Sequence, residues 1–103
     1  MKVVILQEAD RRIKETAEYI RTEFGRQSEQ KFKYALREVV NLLQDNPQLG
    51  PLEPLLAERA SAYRSIVMGR LNKVVYRIVD DRIEIVDLWD CRREPKKQAA
   101  KTV

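Results

Sequence analysis

The chain contains no histidine and a single cysteine, Cys91, in 103 residues. Zinc is held mostly by those two residue types, and Ser-His-Asp or Cys-His nucleophile pairs need a histidine, so both kinds of chemistry are set aside. A lone cysteine forms no intrachain disulfide, which fits a reducing compartment and leaves stabilisation to the core. Glycine is scarce as well, at three residues. Neither a GxxxxGK(S/T) nor a GxGxxG string occurs, so no phosphate-cradling loop is expected, and no nucleotide cofactor with it. Long apolar runs are missing: nothing approaches a membrane span, and the opening MKVVILQEAD turns acidic and polar before a signal-peptide core can form. A cytoplasmic protein without membrane contact is expected. No cofactor or metal is implied, because Asp87 and Asp90 alone make a poor cation site and serve more simply as partners for nearby arginines.

What is present is 44% hydrophobic and 35% charged residues in 12.1 kDa, enough for one core and one domain over residues 1–103. Residues 3–6 form a short aliphatic run readable as a strand. From Glu8, the residues Ala9, Ile13, Ala17, Ile20 and Phe24 recur at helical spacing and mark one apolar stripe. Gly25 follows as a left-handed C-terminal cap. Ser28 is expected to cap a second helix, whose face is Phe32, Ala35, Leu36, Val39, Val40 and Leu43, and Asn46 and Pro47 end it. Residues 46–54 carry three prolines and a glycine and read as a loop, with Leu55 and Leu56 tacking it to the core. Residues 63–68, 73–79 and 82–90 are rich in valine, isoleucine and tyrosine and are separated by turn residues at 69–72 and 80–81. The expected fold is α+β: strand, two-helix hairpin, then a three-stranded antiparallel meander, with the helices on one sheet face and the other face open.

The net charge of +4 is unevenly spread. Through Ala62 there are ten basic and ten acidic residues, so the helical half is balanced and its charges read as a solvated face. From Tyr63 to Val79 stand Arg64, Arg70, Lys73 and Arg77 with no acid. From Asp80 to Cys91 the sign reverses, with Asp80, Asp81, Glu84, Asp87 and Asp90 against Arg82. Residues 92–103 form a basic C-terminal segment, with Arg92, Arg93, Lys96, Lys97 and Lys101 against Glu94. Alternation puts Lys73, Val75 and Arg77 on one face of their strand and Val74, Tyr76 and Ile78 on the other. The second set suits the core, so Lys73 and Arg77 should project from the open face, with Arg64 joining them if its register allows. Such a patch suits phosphate or carboxylate. Solubility alone also places arginine and lysine on strands, and for any single residue that is the better explanation. Tyr63, Tyr76 and Trp89 read as packing residues.

The element order, with YRSIVMGRLNKVVYRIVDDRIEIVDLWDCRREP, resembles the RelE/ParE toxin family over nearly the whole chain. Its most specific parts are Tyr63–Arg64, the KVVY segment from Lys73 to Tyr76, the Asp80–Asp81 turn and the WDCRREP terminus. The resemblance implies a toxin of a type II toxin–antitoxin system, bound by a cognate acidic antitoxin in a hetero-oligomer and acting either on translation by ribosome-dependent mRNA cleavage or on DNA gyrase. In the ribonuclease branch it implies basic residues around the scissile phosphate, and Arg64, Lys73 and Arg93 fall where these are expected. Arg64, Lys73, Arg77, Arg92, Arg93, Lys96 and Lys97 are the implied target- or antitoxin-binding residues. Ile66, however, stands where a second lysine can occur, and no tyrosine follows Arg93. That departure leans toward the ParE side and leaves a third reading open, a nonenzymatic or degenerate module whose basic groove captures an acidic peptide.

Overall fold

In the computed structural model, which describes residues 1–69, 71–92 and 95–102 (only the backbone at 95 and 96), β1 (Lys2–Ile5) leads into α1 (Gln7–Phe24). A single residue, Gly25, separates α1 from α2 (Arg26–Asp45). Its φ of 93° and ψ of 174° lie in a region open essentially to glycine alone. The Gly25 N–H donates to Arg21 O at 3.0 Å and its carbonyl accepts from Glu29 N–H at 3.2 Å, so one residue closes α1 and opens α2. Ser28 therefore does not cap the second helix. It sits inside α2, its hydroxyl donating to Phe24 O at 3.3 Å, because the glycine already turns the chain.

The apolar stripes face inward largely as their spacing predicts. Ala9 and Ala17 of α1 and Phe32, Val39 and Leu43 of α2 are buried, with Ile13, Ile20, Ala35, Leu36 and Val40 packed beside them. Phe24, the last member of the α1 stripe, is 64% exposed and packs edge-on against Tyr19, with ring centroids 6.3 Å apart. Asn46 ends α2 by donating its backbone N–H to Leu42 O at 2.9 Å.

β2 (Tyr63–Met68), β3 (Asn72–Val79) and β4 (Arg82–Asp90) form the expected meander, and β1 adds to β4 in parallel, giving the order β1-β4-β3-β2. Asp80, at φ 54°, turns β3 into β4, a conformation that aspartate tolerates better than most residues. Between Val75 and Tyr76 the β3–β4 register shifts, so that Val75 faces Asp87 while Tyr76 faces Ile85. The extra β4 residue, Val86, is a bulge. On the helix side Val74, Tyr76, Ile83, Ile85 and Leu88 complete the main core. The buried Tyr76 hydroxyl donates to Pro47 O at 2.8 Å and accepts from Gly50 N–H at 2.9 Å, which ties the proline-rich loop to the sheet.

The opposite sheet face is not open. Tyr63, Val75 and Trp89 are buried there with Leu56, from a short 3-10 helix (Pro54–Leu56), and with Ala99, from α3 (Pro95–Ala100). Leu55 and Leu56 divide the tacking role, since Leu56 is buried and Leu55 is exposed. The basic C-terminal segment folds as a helix because Ala99 gives it an apolar contact and Gln98 bonds Asp90 at both N–H (2.8 Å) and carbonyl (2.9 Å). Arg59 closes its end by donating to Ala99 O at 3.0 Å and Thr102 O at 3.3 Å, where a cation meets the unpaired carbonyls and negative dipole of a helix C-terminus.

Candidate functional site

Lys73 and Arg77 share the face away from the long helices, as alternation requires, and each meets a buried carboxylate. Lys73 Nζ donates to Glu53 Oε1 at 2.6 Å and lies 5.9 Å from the centre of the Trp89 ring. Glu53, only 1% exposed, sits at the start of the 3-10 helix and also accepts from Leu55 N–H at 2.9 Å and Ser65 Oγ at 3.0 Å. Burial by itself raises the Glu53 pKa. The Lys73 ammonium, the Leu55 N–H and the Ser65 hydroxyl together outweigh it, and the net shift is downward.

Arg77 Nε donates to Glu84 Oε1 at 2.9 Å, and Arg82 reaches the other oxygen through Nε at 3.1 Å and Nη2 at 2.9 Å. Glu84 is held below its ordinary pKa by these guanidinium hydrogen bonds, with Arg82 the larger contributor. Arg77 is correspondingly raised, first by Glu84. Its guanidinium also lies over the Tyr63 ring and donates to Ser61 Oγ and Tyr63 Oη at 3.4 Å. A polyanion approaching this face must compete with carboxylates already in place.

Arg64 does not join them. Its Cα partner in β3 is Tyr76, while Tyr63 pairs with Arg77 and Ser65 with Val75, so Arg64 points to the face opposite Lys73 and Arg77. There it donates to Gly50 O at 2.8 Å and helps hold the proline-rich loop. Arg92 turns toward α1 and pairs with Asp90, at 3.3 Å from each carboxylate oxygen. Its pKa is raised, chiefly by Asp90 and in smaller part by Tyr19. Lys97 is exposed on α3. Arg70, Arg93 and Glu94 lie outside the described residues, as does the side chain of Lys96. Asp87 and Asp90 do serve arginines: Asp87 Oδ1 stands 3.9 Å from Arg12 Nε, and Asp90 holds Arg92.

Three residues central to this arrangement were not among the expected site residues: Glu53, Glu84 and Arg82. The last two carry a readable signal. A two-residue turn at Asp80–Asp81 pairs Val79 with Arg82 and Arg77 with Glu84 by counting outward, and Arg82 and Glu84 share a face. Glu53 carries none, since it meets Lys73 across 20 residues of chain through an irregular loop. Arg12 also departs from the balanced, solvated half. It is only 8% exposed and lies between Glu8 and Asp87.

The model of the family described as "ParE toxin of type II toxin-antitoxin system, parDE" matches residues 3–95. The chain belongs to this ParE toxin family. Among solved structures, the chromosomal ParDE toxin–antitoxin system from P. aeruginosa contains a chain similar to this ParE-family member, with a TM-score of 0.71 at 18% identity over 87% of this chain and 95% of that one. A YoeB/ParE toxin from Agrobacterium tumefaciens gives 0.58 at 19% identity over 87% and 98%. The YoeB dimer from Staphylococcus aureus gives 0.57 at 19% over 84% and 92%. At these identities the likeness shows the ParE-family fold. No curated protein sequence matches the chain. Among the described residues of this ParE-family chain, no helix is long and apolar enough to cross a membrane, and no three potential metal ligands cluster.

Proposed function

We propose that this chain is a growth-arresting toxin that acts by binding DNA gyrase, without cleaving RNA, and that an acidic antitoxin holds it inactive in a hetero-oligomer. One observation carries this choice: two of the three basic residues expected around a scissile phosphate are separated and engaged, Lys73 by Glu53 on one sheet face and Arg64 by loop carbonyls on the other. RNA cleavage by this route needs cationic groups converging on one phosphate while a neighbouring group activates the 2′-hydroxyl. Inhibition by binding needs only a complementary surface. Residues 1–103 are taken as one toxin domain, with Arg77, Arg92, Arg93, Lys96 and Lys97 meeting target or antitoxin.

The test is a pair of assays on the purified chain. Gyrase supercoiling should fall as toxin approaches the enzyme concentration, and reconstituted translation on defined mRNA should yield no ribosome-dependent cleavage. Cleavage with unaffected supercoiling would overturn the proposal. The same engaged side chains, which leave Arg64 and Lys73 unable to converge on one phosphate, are also consistent with a nonenzymatic or degenerate binding module; growth unchanged by expression of folded chain would select that reading.

A further inference from the structure

Every basic residue of α1 is paired with an acid: Arg11 with Glu8 and Glu15, Arg12 with Glu8 and Asp87, Lys14 with Asp10, and Arg21 with Glu18. Helix α2 differs. Of Arg26, Lys31, Lys33 and Arg37, only Lys33 meets an acid among the described residues, Glu29 Oε2 at 3.4 Å. The even count of charges through Ala62 conceals this contrast. Arg26, Gln30, Lys33, Arg37, Asn41 and Gln44 follow one another at intervals of four or three residues, which sets them on one stripe of the helix. All six are exposed, and the stripe runs about 27 Å along the axis at about 1.5 Å per residue. It lies away from the buried Phe32, Val39 and Leu43. No acid stands on it. Glu38 and Asp45 each follow a stripe residue directly, about 100° round the axis, and the Glu29 side chain is only 15% exposed. Apart from Lys33, none of the six side chains has a hydrogen-bond or ion-pair partner among the described residues.

A face kept only for solubility mixes both signs, as α1 does. A face of arginine, lysine, glutamine and asparagine alone is the set that reads a DNA major groove, where the cations bond guanine O6 and N7 and the amides bond adenine N6 and N7. A helix about 10–12 Å across also fits that groove, which is about 12 Å wide. We propose that the outer face of α2 binds duplex DNA, with Arg26, Lys33 and Arg37 on phosphates and base edges and Gln30, Asn41 and Gln44 beside them in the groove. Charge complementarity selects the occupant, because the unpaired groups are cations with no acid between them and duplex DNA presents a continuous line of phosphates. The surface lies on the far side of the molecule from Lys73 and Arg77, which face away from the long helices, and the inference is independent of the gyrase reading.

The experiment is fluorescence anisotropy of a labelled DNA duplex of mixed sequence, titrated with the folded full chain from about 50 to about 200 mM salt. Affinity should fall steeply with salt, since each phosphate contact adds about 0.9 to the slope of log affinity against log salt. The double variant Arg26→Gln with Arg37→Gln should lower that slope by about two and weaken binding at the lowest salt at least about tenfold. Arg11→Gln with Arg21→Gln removes the same charge from α1 and should change affinity by less than about threefold. All four side chains are exposed, so both variants should fold. An RNA duplex of the same sequence should bind at least about tenfold more weakly, because its deep, narrow major groove shuts out a helix. No binding to DNA at the lowest salt, equal losses for the two double variants, or equal affinity for the RNA duplex would overturn the proposal. Neither growth nor supercoiling enters this measurement, so it can fail while the gyrase proposal stands, and a failed supercoiling assay leaves it intact.

Discussion

A methyl group added at Gly50 would meet Ser65 O at 2.7 Å, the Ile66 side chain at 2.8 Å and the Tyr76 ring at 3.0 Å. All three neighbours belong to β2 and β3, and the Ser65 carbonyl and the buried Tyr76 ring cannot move cheaply. Gly50→Ala should therefore lower stability by about 1–3 kcal/mol through overpacking, read as a fall in melting temperature. Gly69, with open space around its Cβ position but φ of +62°, should lose only the smaller cost of left-handed backbone when changed to alanine. Nothing local in the sequence distinguishes these two loop glycines, because the crowding at Gly50 comes from strands that follow it. Arg12 was partly legible. It lies three residues after Ala9, on the flank of the apolar stripe, which argues for burial; its Asp87 partner arises from β4 and could not be counted from the helix.

At the scale of elements, the 3-10 helix is pinned to the sheet by Glu53, and the pinning depends on ionisation. A folded-state pKa below the ordinary glutamate value of 4.5 means that the contribution is present above that value and is lost as pH falls through the lowered one. Glu84 acts in the same sense. Asp87, raised above 3.8 mainly by burial and only partly offset by Arg12, acts in the opposite sense: its contribution is greatest at low pH and declines as pH rises. Glu53→Gln should lower stability at neutral pH by up to about 3 kcal/mol, since it breaks a partly buried pair. It should also flatten the fall in stability below pH 4.5, which urea titrations at several pH values would detect; an unchanged acid limb would place that loss elsewhere. Both helices and the meander were visible in periodicity and turn chemistry. The covering of the second face was not, because a run dominated by Lys96, Lys97 and Lys101 hides the one alanine, Ala99, that docks it.

Over the whole molecule, the division of charge into blocks was readable by counting, but its meaning changed once the blocks were folded together. The acidic strand supplies Glu84 to the basic hairpin, and the balanced half supplies Glu53, so the surface presents paired charges where the linear sequence suggested bare ones. Lys97 stays exposed on α3, and Arg92, although paired with Asp90, keeps half of its side chain exposed. Reversing both, as Arg92→Glu with Lys97→Glu, should raise the expression needed for growth arrest by about tenfold if electrostatic complementarity sets association with the target. Lys14→Glu, on the exposed outer face of α1, should leave it unchanged. Equal dose–response curves for the two variants would remove the C-terminal surface from the interaction. The Lys73–Glu53 pairing escaped the sequence because it is fixed by the path of an irregular loop, whereas Arg77–Glu84 could be counted outward from the Asp80–Asp81 turn.

The parallel pairing of β1 with β4 joins Lys2 to Arg82 and Ile5 to Ile85. During synthesis β1 must wait, unpaired, until β4 has emerged, because among the described residues its neighbour in the sheet is β4, the last of the four strands made. The helical hairpin can form early from local contacts, but the sheet that carries Lys73, Arg77 and Trp89 has no closed edge on that side until β4 is delivered. A nascent chain that lacks β4 is thus kept from displaying the finished surface.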